Sequence, residues 1–75
     1  MKQEIKIRIL RALEQNGNGG LNISETVHEG ETTRNTASEY LKKLEDRGLV
    51  KSQPRPPHKL YFITEKGEEE IQNVE

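Results

Sequence analysis

The sequence has no cysteine, no tryptophan, only two tyrosines and one phenylalanine. It also has no long apolar run. Without cysteine there is neither a disulfide staple nor a thiolate metal site. Without an apolar stretch of the length that a signal peptide or membrane span needs, a soluble, cytoplasmic protein is expected. Three aromatic rings are too few for a platform on which single-stranded bases stack. The two histidines, His28 and His58, stand about thirty positions apart. A metal site would have to combine them with carboxylates such as Glu29 or Glu31, so no metal and no cofactor are expected. No serine–histidine or paired-carboxylate arrangement has a supporting cleft, and 75 residues leave little room for a substrate pocket of several hundred Å3. The expectation is a protein that is not an enzyme.

Apolar residues make up 29% and charged residues 33% of the chain, close to the composition of disordered proteins. The few apolar residues nevertheless sit where helices and strands need them, in a single domain spanning 1–75. A domain this small is marginally stable, and pairing between copies is the obvious additional source of stability.

The charge is unevenly distributed. Net charge is −1 overall, yet residues 33–59 carry Arg34, Lys42, Lys43, Arg47, Lys51, Arg55 and Lys59 against Glu39, Glu45 and Asp46, a net of +4. Residues 60–75 carry a net of −4. Affinity for a polyanion follows local potential rather than total charge. The folded chain is therefore expected to gather the central cations on one surface, with the C-terminal glutamates away from it.

Ile5, Ile9, Ala12 and Leu13 recur at helical spacing and predict a first helix over 3–15 that stops at Asn16-Gly17. Asn22-Ile23-Ser24-Glu25 has the form of a capping box and opens a short second helix, about 22–29, with Ile23 and Val27 inward. Thr32 or Thr33 caps a third helix whose buried stripe is Ala37, Tyr40, Leu41 and Leu44, with Gly48 as its stop. Leu49-Val50 starts a strand. Three prolines between Gln53 and His58 exclude helix and central strand there. Leu60-Tyr61-Phe62-Ile63 supplies the returning strand, and Thr64 caps a last helix. The reading is a small α+β domain: three helices, a two-stranded hairpin, then a C-terminal helix. Gly17 to Gly20 has no following Lys-Ser/Thr and no preceding strand, so it is a loop and not a phosphate cradle.

Three stretches carry a resemblance. They are Ile23-Ser-Glu-Thr-Val27; Leu41-Lys-Lys-Leu-Glu-x-x-Gly-Leu-Val50, preceded by Thr33-Arg-Asn-Thr-Ala-Ser38; and Tyr61-x-Ile-Thr-x-x-Gly67. Together they resemble the winged helix-turn-helix domains of MarR-like, ArsR-like and PadR-like prokaryotic transcription regulators, over nearly the whole chain. The likeness implies a helix-turn-helix at about 22–48, a wing at about 49–64 and a C-terminal helix at about 65–74. It further implies that the third helix enters the major groove of double-stranded DNA, that the wing touches backbone or minor groove, and that the protein acts as a homodimer. Thr33, Arg34, Asn35, Thr36 and Ser38 match the reading end of the recognition helix. Arg55 falls at the wing tip, with His58 and Lys59 at its base. The sequence departs from the pattern in Glu39 on the exposed helix face, in a short proline-rich wing, and in the acidic His28-Glu-Gly-Glu-Thr32 segment.

Projected at about 100° per residue with Ala37 inward, the third helix points Asn35, Glu39, Lys42 and Asp46 outward, flanked by Ser38 and Lys43. Asn35 suits adenine and Glu39 suits cytosine N4, whereas Lys42, Lys43, Arg55 and Lys59 suit phosphates. A solvated face held by i,i+4 pairs such as Glu39–Lys43 explains the same charges without DNA. The alternative function is therefore a winged-helix protein–protein interaction module, favoured by the acidic tail and Glu39. Ile7, Leu10, Ile71 and Val74 are left over once the small core is filled, and are expected to form the dimer interface. No small-molecule effector is evident.

Overall fold

The structure, a computed structural model, describes residues 2–74 and every side chain within them except those of Lys2, Gln3, Asn18 and Val74. The elements run α1 (Lys2–Asn16), a 3-10 turn (Gly17–Gly19), α2 (Ile23–Glu29), α3 (Arg34–Asp46), β1 (Val50–Arg55), β2 (His58–Ile63) and α4 (Glu65–Val74). The expected α+β order is present. Local chemistry explains most of the boundaries. The capping box of α2 is complete: Asn22 Oδ1 accepts from the Glu25 amide at 2.8 Å, and Glu25 Oε1 accepts from the Asn22 amide at 2.9 Å. Thr33 rather than Thr32 caps α3, its hydroxyl accepting from the Thr36 amide. The end of α3 is closed by two reverse bonds, Leu49 N–H to Leu44 O and Gly48 N–H to Glu45 O. Gly48 sits at φ +77, which glycine reaches without steric cost.

The core consists of Ile9, Leu10, Leu13, Leu21, Leu41, Leu44, Leu49, Val50 and Ile71, with Ala12 among them. Helix α1 is central. It packs against α2, α4, β2 and the 3-10 turn, so its apolar face is wider than the single stripe that helical spacing defines. This corrects the expected interface. Leu10 is 0% and Ile71 4% exposed within one protomer; both belong to the monomer core rather than to a leftover surface. Ile7 is half-buried and packs against that core. The expectation for the Val74 side chain lies outside the described residues.

The sheet is an antiparallel hairpin with Val50 opposite Ile63 and Arg55 opposite His58, closed by Pro56-Pro57. Pro54 is accommodated in β1, opposite Lys59, because a two-stranded ribbon has a free edge on each strand. Leu21, which follows the glycine loop, pairs with Tyr61 through two backbone bonds of 3.0 and 2.8 Å. This ties the loop to β2 and seats Leu21 in the core.

Lys6 on α1 and Glu70 on α4 form an ion pair at 2.8 Å. The Lys6 ammonium, first by its hydrogen bond and then by its charge, holds the Glu70 carboxyl below its ordinary value. A carboxyl lowered on folding stabilises the fold above its ordinary range and loses that contribution as pH falls through the lowered value. Lys6→Met is therefore expected to lower the thermal midpoint at pH 7 and to lower it progressively less as the pH falls below the ordinary carboxyl range, as read by circular dichroism. An equal loss at every pH would assign the effect to packing of the lysine stem. Among the described residues, no helix is long and apolar enough to cross a membrane.

Candidate nucleic-acid interface

The candidate surface is built on α3. Ala37, Leu41 and Leu44 anchor the helix on the core, with Tyr40 half-buried against it. Of the remaining positions, Arg34, Asn35, Ser38, Glu39, Lys42, Lys43 and Asp46 are exposed, and Thr36 and Glu45 are half-buried. At the N-terminus the Thr33 hydroxyl also donates to Thr36 Oγ1 at 2.9 Å, and Arg34 Nη1 reaches Ser24 Oγ on α2 at 3.4 Å. The first turn of α3 is thus held from both the capping residue and the preceding helix. The connection from α2 passes through Glu31, which takes φ +52 without being glycine. The acidic linker is a compact turn: Thr32 N–H donates to Val27 O at 3.1 Å.

The hairpin is tied to the same helix. Ser52 Oγ donates to Glu45 Oε2 at 2.6 Å, joining β1 to the last turns of α3. No sequence motif signals this bond, because it joins two elements whose angle is set by the fold. At the far end of the ribbon, Arg55 and His58 flank the Pro56-Pro57 turn, with Pro54 and Lys59 one pair further in. His58 and Lys59 therefore lie at the wing tip and not at its base. The pleat alternates, so Ser52, Tyr61, Pro54 and Lys59 share the face turned toward α3. On that face the Lys59 ammonium sits 5.6 Å from the Tyr61 ring centroid, within cation–π range.

Lys51, Gln53 and Arg55 share the opposite face with Leu60 and Phe62. That face borders an open groove of about 550 Å3, lined among others by Glu14, Lys51, Arg55, Phe62, Ile63 and Glu68. Two expectations are corrected here. The domain does have room for a groove of several hundred Å3. The C-terminal acids are also not wholly apart from the central cations, since Glu68 shares the groove with Lys51 and Arg55. The cause is the seating of α4: Gly67 lies against the Leu49 carbonyl and Ile63 at the base of the wing, which carries its neighbour Glu68 there. Lys42, Lys43 and Lys59 do not line this groove. Glu70 is drawn to Lys6 instead. Among the described residues, neither the α3 cations nor Lys59 forms an ion pair with a C-terminal acid.

The C-terminal part of the resemblance has a structural reason. Thr64 Oγ1 accepts from the Gly67 amide at 3.1 Å and donates to Gly48 O at 2.7 Å. One hydroxyl thereby starts α4 and joins it to the stop of α3. Among the described residues, no group of three or more His, Asp or Glu side chains converges as a metal site would require.

The geometry matches known folds closely. Sso10a-2, a DNA-binding protein from Sulfolobus solfataricus, superposes with a TM-score of 0.86 at 25% identity, over 99% of this chain and 74% of that one. A MarR-family transcriptional regulator from Silicibacter pomeroyi gives 0.86 at 22% identity, over 95% of this chain and 48% of that one. The S. aureus MepR–DNA complex gives 0.83 at 19% identity, over 97% and 64% respectively. This chain thus spans about three quarters of the first structure and between about half and two thirds of the other two. No curated protein matches it. The model of the family described as winged helix-turn-helix matches residues 1–75, and with three helices, a two-stranded wing and a closing helix in that order, the chain belongs to the winged helix-turn-helix family.

Proposed function

We propose that the protein binds double-stranded DNA as a homodimeric transcription regulator, with α3 in the major groove and the hairpin against the backbone beside it. One observation carries this reading. The side chains of Asn35, Ser38, Lys42 and Lys43 on the outward face of α3 make no hydrogen bond or ion pair among the described residues, while the wing is fastened to the same helix through Ser52 and Glu45. The Glu39–Lys43 pair that the alternative reading invokes is not formed among the described residues. A rigid helix presenting unspent donors, next to a wing with cations on both faces of its tip, is suited to a phosphate-lined groove.

Arg34, Lys42, Lys43, Arg55 and Lys59 take phosphates in this reading, Thr33, Thr36, Ser38 and His58 add hydrogen bonds, and Asn35 faces a base edge. The likeness to Sso10a-2 and to the DNA complex of MepR supports the same partner. One protomer is 35 Å in its longest dimension. Two recognition helices one DNA turn, roughly 34 Å, apart therefore require two copies on a palindromic site. Such a dimer would use surfaces of α1 and α4 other than Leu10 and Ile71. Occupying a promoter and blocking polymerase is the simplest regulatory consequence.

Electrophoretic shifts across a salt series test the reading. The affinity is expected to fall with a log–log slope of about −0.9 per phosphate contacted, and Arg34→Ala and Arg55→Ala each to flatten that slope by about one. Absence of binding to any duplex at low salt would remove the DNA reading in favour of a protein-binding module. Unchanged slopes in both variants would misplace the contacts while leaving DNA binding intact. A monomeric sedimentation mass both with and without DNA would remove the homodimer.

A further inference from the structure

We infer that Glu39 is a base-selecting residue, which directs the outward face of α3 toward cytosine and away from guanine and thymine. This rests on the reading of α3 as the element in the major groove. Several of the acids have structural employment, although Asp46 at the other end of the same face has none among the described residues. Glu45 accepts the Ser52 hydroxyl, Glu25 completes the cap of α2, Glu70 holds Lys6 and Glu4 pairs with Arg8. Glu39 has none. It is exposed, and it makes no ion pair with Lys42 or Lys43 among the described residues, although both lie within one helical turn. Its carboxylate therefore contributes nothing visible to the fold while standing between Asn35 and the lysines Lys42 and Lys43 on the outward face of α3.

A carboxylate has acceptors and no donor. In the major groove it can pair with the amino hydrogens of cytosine N4 or adenine N6 and is repelled by the acceptors of guanine and thymine. Asn35 stands four residues earlier on the same face, and its amide satisfies adenine bidentately. At about 1.5 Å rise per residue the two are about 6 Å apart along the helix, close to two base-pair steps of roughly 3.4 Å. The expected signature is an adenine and a cytosine about two steps apart in each half-site, with Glu39 setting the second. Its repulsion of phosphate simultaneously weakens binding to any other sequence, so one group both selects and rejects.

The test is selection from a randomised duplex library at low salt with the full chain, comparing wild type with Glu39→Ala and Glu39→Gln. Because Glu39 has no internal partner, both variants are expected to keep the wild-type unfolding midpoint. Wild type should prefer cytosine at one position by roughly tenfold. The alanine variant should lose that preference while gaining affinity for unrelated duplexes. The glutamine variant should move the preference to adenine, which an amide can pair bidentately. Identical base preferences in all three proteins, with only a uniform rise in affinity, would overturn the inference and leave DNA binding standing. Failure of wild type to retain any duplex would instead remove the DNA reading beneath it.

Discussion

Gly67→Ala is expected to destabilise the domain severely, although alanine is the better helix former. In an open helix the substitution would gain about 1 kcal/mol. Here Gly67 is buried in the first turn of α4, and a Cβ built on it would clash with the Leu49 carbonyl oxygen and lie 2.7 Å from Ile63 Cγ1. The first of these atoms is backbone and cannot swing aside. It also accepts the Thr64 amide at 3.0 Å, so retreat of α4 would break the bond that seats it. Relief requires α4 to lift off the base of the wing, exposing Ile71 and the Val50–Ile63 pair. Overpacking of this kind costs roughly 1–3 kcal/mol and sometimes more, and loss of the α4 docking contacts adds to it. A domain of 75 residues has on the order of 4–11 kcal/mol in total. A net loss of about 2–3 kcal/mol would lower the melting temperature by roughly 10–20 °C. Thermal and urea unfolding followed by circular dichroism measure it; an unchanged or raised midpoint would show that α4 does not rest on the Leu49 carbonyl.

Leu10→Ala separates two assignments of the same side chain. As part of a two-fold surface, Leu10 would tolerate truncation, with the fold intact and only the oligomeric mass changed. The structure places it at 0% exposure among Ile9, Leu13 and Ile71, where removing a buried leucine costs about 2–5 kcal/mol through lost transfer energy and the cavity left behind. On the marginal total above, that is enough to leave a large fraction of the protein unfolded at 37 °C. Urea unfolding gives the magnitude, and sedimentation of the folded fraction gives the mass. Wild-type stability combined with a halved mass would return Leu10 to an interface.

The helices and their ends could be recognised from the chain because their determinants are local. Asn22 and Glu25 cap each other across three residues, the Thr33 hydroxyl caps the Thr36 amide over the same span, and Gly48 lies just past a periodic apolar run. The hairpin was legible for the same reason, since β-forming residues bracket a proline turn. The outward face of α3 also followed from spacing, because helical periodicity fixes which side chains point away once Ala37 is buried. The spacing of Tyr61-x-Ile-Thr-x-x-Gly67 could be seen in the chain, but its reason could not. Gly67 is small because a carbonyl eighteen residues earlier passes over it, and no local pattern announces such an approach.

From the sequence alone came the order of elements, their caps, the polar face of α3 and the likeness to a winged domain. Each depends on residues within a turn or two of one another, or on motifs carried intact. The tertiary structure decided the rest. It put α1 between four neighbours, which turned Leu10 and Ile71 from spare surface into core. It put Glu68 on the groove that Lys51 and Arg55 also line, and set the wing on α3 through Ser52 and Glu45. Those outcomes depend on how many sides of a helix are covered and on which side chains long-range packing brings together, and a one-dimensional pattern carries neither.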